Sequence, residues 1–145
     1  MEKLVFERTF NAPIQLVWDA ISDRNRTKEW YFPFGEDFKP EVGAVFEWSA
    51  KDNEGVEWLH RGEILEVSVP NKLIHSWEYP GYSGTSKVSW FLEEKDKNVT
   101  HLTLIHEFTI PFDSTVQALK MENFNGGWTA IVHTLLKDYL EKVQD

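Results

Sequence analysis

Between Lys3 and Ile110 apolar residues recur mostly at every second position, and beyond Ser114 they recur at every third or fourth. Leu4, Phe6, Arg8 and Phe10 alternate with Lys3, Val5, Glu7 and Thr9, and Ala44, Phe46, Trp48 and Ala50 alternate with Val45, Glu47 and Ser49. Leu73, His75, Trp77 and Tyr79 form a third set, Val88, Trp90 and Leu92 a fourth, and Leu102, Leu104, His106, Phe108 and Ile110 a fifth. Period-two alternation places each set on one face of a strand. A further strand runs from Val56 to Val69. Between the strands stand turn formers: Pro40 to Gly43, Asp52 to Gly55, Pro70-Asn71, Pro80 to Gly84 and Lys95 to Asn98. Short turns between successive strands predict an antiparallel meander. The aromatic run Trp30-Tyr31-Phe32-Pro33-Phe34-Gly35 follows neither period and reads as a loop.

Two short helices interrupt the strand pattern. Pro13 suits a helix start, and Ile14, Val17, Trp18 and Ile21 follow on one face. Ser22-Asp23 stops this helix and caps a second turn from Arg24 to Glu29. Near the C-terminus Phe124, Trp128, Ile131, Val132, Leu135, Leu136, Tyr139, Leu140 and Val143 form one apolar stripe. Ser114 and Gln117 match a capping box, with Asp113 adding negative charge at the amide-rich end. A helix from Ser114 to Val143 would run on the order of 45 Å at about 1.5 Å per residue. The glycine pair Gly126-Gly127 inside it predicts a bend or a close backbone contact. The fold class that follows is α+β, a helix-grip arrangement. In it a curved antiparallel sheet wraps around a long C-terminal helix, in one domain over residues 1–145, with a space between sheet and helix.

Composition narrows the function classes. The chain has no cysteine, which excludes disulfides and thiolate chemistry. Its net charge of -9, without a stripe of lysine and arginine, predicts no nucleic-acid partner and no attraction to anionic membranes. Met1 to Val5 shows neither a basic segment nor an apolar one after it, so a cytoplasmic location is the expectation. Seven tryptophans and ten phenylalanines either overfill a core or line a cavity.

The chain resembles the START-like superfamily, also called SRPBCC. Within it the likeness is to bacterial relatives of the C-terminal domain of the ATPase activator of the 90-kDa heat-shock chaperone. The residues that carry it are Phe10-Asn11-Ala12-Pro13 with Val17-Trp18 and Ile21-Ser22-Asp23, then Lys28-Glu29-Trp30, then Gly62 to Val67. Pro70 to Leu73, Ser76-Trp77, Thr103 to His106, and Gly127-Trp128 with Leu135 and Leu140 complete it. The resemblance implies a deep apolar cavity, used across the superfamily for lipid carriage, polyketide cyclisation or chaperone contact. Where relatives carry paired glycines before the second long strand, this chain has Gly43-Ala44, and the activator's separate N-terminal domain has no counterpart.

Candidate cavity residues are Trp48, Trp58, His60, Trp77, Tyr79, Trp90, His106, Phe108, Phe124 and Trp128. They line a ligand site or fill a core, and the spacing leaves both open. His106 has the residue type of a general base, or it hydrogen-bonds a buried partner. Glu47 and Glu63 read as a solvated face, and Asn98-Val99-Thr100 as a turn entering a strand. A metal site would need His60, His75 and His106 to converge from three strands, and no metal or other cofactor is expected. The preferred partner is a small hydrophobic molecule of lipid or polyketide-like kind. A chaperone contact is the alternative, with Tyr31, Phe32, Phe34 and Tyr82 as an exposed patch. A cyclase or hydratase-type enzyme is the weaker one.

Overall fold

Alternation along the chain becomes six strands in the computed structural model, which describes residues 2–144. They are β1 (Glu2–Phe10), β2 (Val45–Lys51), β3 (Glu57–Ser68), β4 (Lys72–Trp77), β5 (Thr85–Asp96) and β6 (Val99–Ile110). All pair antiparallel in the order β1-β6-β5-β4-β3-β2, so the meander from β2 to β6 is closed by β1 against its last member. The register sets Phe6 opposite Leu104, Trp90 opposite Leu104 on the other side, and Trp48 opposite His60. One face therefore collects the large rings. The alternation in β6 holds through Phe108 but not to its end, because Ile110 is 59% exposed.

Gly43 explains how the chain enters β2 without a second glycine. Its φ of +93° lies where side chains are strained, and its N–H donates to the Ile64 carbonyl at 2.9 Å. Ala44 then accepts from the Ile64 N–H at 2.9 Å and starts the β2–β3 ladder.

Helices α1 (Ile14–Ser22) and α2 (Arg24–Trp30) close one end. The Asp23 carboxylate accepts from the Asn25 N–H and caps α2, as the sequence predicts. Trp30 donates its indole N–H to the Ala20 carbonyl at 2.9 Å and ties the two helices together.

The C-terminal helix starts later than the capping-box pattern predicts. Asp113 uses its carboxylate on the Thr115 N–H and hydroxyl, which makes a local turn. A single 3-10 turn follows at Gln117–Leu119, and Lys120 is extended. The helix proper is α3 (Met121–Ala130), a π turn at Ile131–Leu135, and α4 (Leu136–Val143), about 35 Å in all at the usual rise. The glycines make no close backbone contact: Gly126 and Gly127 lie inside α3, and a Cβ on either would meet nothing within 4 Å. The irregularity is the π turn. Phe124, Trp128, Val132 and Leu136 are all buried at strict four-residue spacing, which in an ordinary helix drifts by about 40° per step. The wider turn absorbs part of that drift, and the Leu136 N–H reaches back to the Ile131 carbonyl. Arg8 of β1 supplies a donor to the His133 carbonyl at 3.2 Å. The buried stripe is narrower than the sequence pattern, since Leu135 is 44% and Val143 37% exposed.

An open helical glycine has a testable consequence. Gly126→Ala is expected to raise stability by about 0.5–1 kcal/mol, measured as a higher urea midpoint at unchanged slope. A lower midpoint would show that the pair makes a contact which this geometry lacks.

Candidate functional site

The site is the space between the ring-bearing face of the sheet and the C-terminal helix. Phe46 and Trp48 come from β2, His60 from β3, Trp77 from β4, Trp90 from β5, and His106 and Phe108 from β6; α3 adds Phe124 and Trp128. The loop after α2 is inserted among them. Tyr31 meets Trp90 edge-on at 5.9 Å between ring centres and lies 6.2 Å from Trp128. Phe32 packs 5.8 Å from Trp48 and 6.2 Å from Trp77, and Phe34 lies 5.1 Å from Trp48. Phe34 is buried and Tyr31 and Phe32 are half-buried, so they form no exposed aromatic patch; of the four patch candidates only Tyr82 is exposed. The reason is energetic. An aperiodic run of rings beside an apolar space gains more by filling it than by facing water.

What this packing leaves open is two small hollows on the inner side of the sheet, each reaching solvent past exposed residues, Lys51 in one and Asn123 and Gly127 in the other. One, about 160 Å³, lies against Trp58, His60 and Tyr79. The other, about 150 Å³, lies against Trp77, Tyr79, Phe124 and Trp128. Phe32, Tyr79 and Ala118 border both. Two larger hollows, about 330 and 360 Å³, open elsewhere. The first is on the outer face of the sheet beside Lys72, Glu93 and His101, and the second is where Phe112 and Lys120 flank the start of α3. Size does not make either the site, because the convergent aromatic and polar groups surround the inner pair.

A buried polar chain runs through the wall. Trp128 Nε1–H donates to His106 Nδ1 at 3.0 Å. An indole N–H is only a donor, so Nδ1 must be the bare nitrogen and Nε2 carries the proton. Nε2–H then donates to Ser86 Oγ at 2.8 Å, and that hydroxyl donates to the Trp77 carbonyl at 2.7 Å. Burial, with His75 nearby, pulls the His106 pKa down to about 3. His106 is thus neutral, fully buried and committed on both nitrogens, and it borders neither inner hollow. This is the buried-partner role and not that of a base facing a ligand.

The other two core histidines make separate bonds. His60 Nδ1–H donates to the Trp58 carbonyl at 2.9 Å, and His75 Nδ1–H donates to the Ser76 carbonyl at 2.8 Å. Burial lowers each to a pKa of about 4. Trp77 Nε1–H donates to Tyr79 Oη at 3.0 Å, while desolvation raises the Tyr79 phenol above its ordinary range. Among the described residues two buried side-chain polar atoms have no partner: Tyr31 Oη and Trp48 Nε1.

The ten candidates therefore divide. Trp58, His60, Trp77, Tyr79, Phe124 and Trp128 border the inner hollows. Trp48, Trp90 and His106 are packed behind them, and Phe108 borders the hollow at the start of α3. Sequence reasoning missed Phe32, Ala118, Gly127 and Ile131. The three from 118 to 131 were hidden by the displaced helix start and the π turn, which rotate the faces of that segment. Phe32 carried a signal, an aromatic run without period, that says nothing about depth of insertion.

A curved antiparallel sheet gripping a C-terminal helix across an aromatic interior defines a START-like domain. The chain belongs to the family described as Activator of Hsp90 ATPase homolog 1-like protein, which matches residues 11–141 and is part of the SRPBCC superfamily. Among solved structures it is similar to CalU16 from Micromonospora echinospora, 25% identical with a TM-score of 0.72, over 95% of this chain and 75% of that one. A protein from Mesorhizobium loti is 25% identical with a TM-score of 0.75, over 97% and 98% of the two chains. An HSP90 activator from Plasmodium falciparum is 20% identical with a TM-score of 0.71, over 92% of each. No curated protein matches the chain. Among the described residues no helix is long and apolar enough to cross a membrane.

Proposed function

We propose that the chain binds a small hydrophobic or aromatic molecule between the sheet and the C-terminal helix. The observation that carries this reading is the pair of inner hollows, about 160 and 150 Å³, bordered by aromatic rings and sharing Phe32, Tyr79 and Ala118. A ligand that buries about 200 Å² of apolar surface there gains roughly 5 kcal/mol at about 25 cal/mol per Å². That corresponds to a dissociation constant on the order of 0.2 mM. The acid and base that border the hollows are engaged elsewhere: His60 Nδ1–H donates to the Trp58 carbonyl, and the Asp52 carboxylate accepts from the Trp58 indole and from the Glu54 and Val56 N–H groups. A cytoplasmic setting belongs to the same reading.

The test is a tryptophan-fluorescence titration with fatty acids, flavonoids and polyketide-like aromatics, alongside native mass spectrometry of the purified protein. Saturable quenching or a retained small molecule is the expected result. Silence across the panel from a folded protein would sink the proposal. The second reading, contact with a chaperone of the 90-kDa class, is favoured by the family itself and by the likeness to an HSP90 activator along 92% of both chains. Stimulation of that chaperone's ATPase by this chain would carry it.

A further inference from the structure

Phe32 borders both inner hollows, together with Tyr79 and Ala118. It is surrounded by other rings, with centres 4.4 Å away in Tyr31, 5.8 Å in Trp48, 6.1 Å in His60 and 6.2 Å in Trp77. The segment that delivers it has no regular structure between the end of α2 and the start of β2. Among the described residues its first backbone hydrogen bonds are all local: Tyr31 N–H to the Thr27 carbonyl, Phe34 N–H to the Phe32 carbonyl, and Phe38 N–H to the Gly35 carbonyl. Attachment to the sheet by the backbone begins only with Gly43. Side-chain insertion is thus what holds Phe32 in place. Tyr31, by contrast, is anchored by its bond to α2 and by stacking on Trp30 at 5.0 Å.

The two unpartnered polar atoms belong to rings that touch Phe32. Tyr31 Oη and Trp48 Nε1 are both buried, and both are donors that a phenyl ring leaves without an acceptor. Buried donors without partners in a well-packed interior mark where something else is expected to sit.

Resting on the ligand-binding reading above, we infer that Phe32 is a built-in occupant of the ligand's place. A flat aromatic molecule bearing a neutral oxygen acceptor displaces it, joins the two hollows into one slot, and accepts from Tyr31 Oη–H and Trp48 Nε1–H. Flatness follows from the place itself, which is that of a phenyl ring held among the rings of Tyr31, Trp48, His60 and Trp77. Neutrality follows from the absence of a buried countercharge, because the cation bordering either hollow, Lys51, is exposed at the rim. A ligand of about two or three rings fits the joined volume.

Three probes separate the possibilities: flavone, which has a carbonyl acceptor; 2-phenylnaphthalene, which has the shape without the acceptor; and laurate, which is linear. Removing the plug frees the slot, so Phe32→Ala is expected to bind flavone about tenfold more tightly than the unmodified chain. Phe32→Leu shows the same direction and serves if the alanine variant does not fold. Tyr31→Phe and Trp48→Phe should each weaken flavone about three- to tenfold and leave 2-phenylnaphthalene unchanged. In the unmodified chain, saturating flavone should speed amide exchange across residues 32–38 as the segment is released, while the Tyr31 amide keeps its bond to the Thr27 carbonyl. Equal flavone affinity with and without Phe32, together with unchanged exchange, overturns the plug. Stronger binding of laurate or 2-phenylnaphthalene than of flavone overturns the ligand class. Either result leaves the ligand-binding reading standing if the unmodified chain binds any probe, whereas no binding by any variant overturns both.

Discussion

Trp128→Ala is expected to cost about 3–5 kcal/mol of stability, the range for deleting a large buried ring. The ring is 2% exposed and lies 5.5 Å from Trp77, 5.9 Å from Trp90 and 5.9 Å from His106. Its neighbours come from β4, β5, β6 and the loop after α2, so no single element can relax to fill the gap. The substitution also strips His106 Nδ1 of its donor and leaves a buried acceptor unmatched. Trp128→Phe separates the two effects: it keeps most of the volume, removes the N–H, and should cost about 1–3 kcal/mol. Urea unfolding of both variants decides the matter. A loss below about 1 kcal/mol for the alanine variant would be a surface-scale effect and would place the ring outside the core.

Acid unfolding above pH 4 is the second large effect. Burial holds His60 and His75 to pKa values of about 4 and His106 to about 3. In the unfolded chain each returns to the ordinary value near 6.5. Below that value the unfolded state binds protons which the folded state refuses, so stability rises with pH and is lost as pH falls. The contribution is fully present above about pH 6.5 and is lost between there and about pH 4 for His60 and His75, and down to about pH 3 for His106. Each histidine contributes a slope approaching about 1.4 kcal/mol per pH unit once its unfolded form is protonated. Three together approach about 4 kcal/mol per unit below about pH 5.5, and a typical domain holds only about 5–15 kcal/mol in total. Urea unfolding at stepped pH should therefore show a steep decline from pH 6.5 downward, with uptake of about three protons on unfolding. Stability that stays flat between pH 7 and 5 would mean that these histidines are not held neutral.

Much of the fold was readable because period-two alternation and turn formers fix where strands begin and end, and because Asp23 is a sound cap for α2. The helix start was misread for a physical reason. Ser114 and Gln117 have the spacing of a capping box, but Asp113 captured Thr115 first and spent those residues on a turn. The π turn left no trace, since Ile131, Leu135 and Tyr139 supply steps of three beside the four-residue repeat of Phe124, Trp128, Val132 and Leu136 and complete an ordinary helical stripe. Within the site, the face of each strand residue was legible and its partners were not. His106 takes its partners from β5 and from α3, and neither contact follows from spacing within β6. The depth of Phe32 was beyond reach altogether, because a loop without period carries no information about which way its rings turn.

The crowding of indoles has an optical consequence. Trp48, Trp77, Trp128 and Trp90 form a continuous series with successive ring centres 5.1, 5.5 and 5.9 Å apart. At such separations excited states are shared and the transitions couple, so the near-ultraviolet circular dichroism belongs to the series and not to any single chromophore. A shift of one member redistributes intensity across the whole band. The molecule carries its own spectroscopic fingerprint, one that dissolves with native packing.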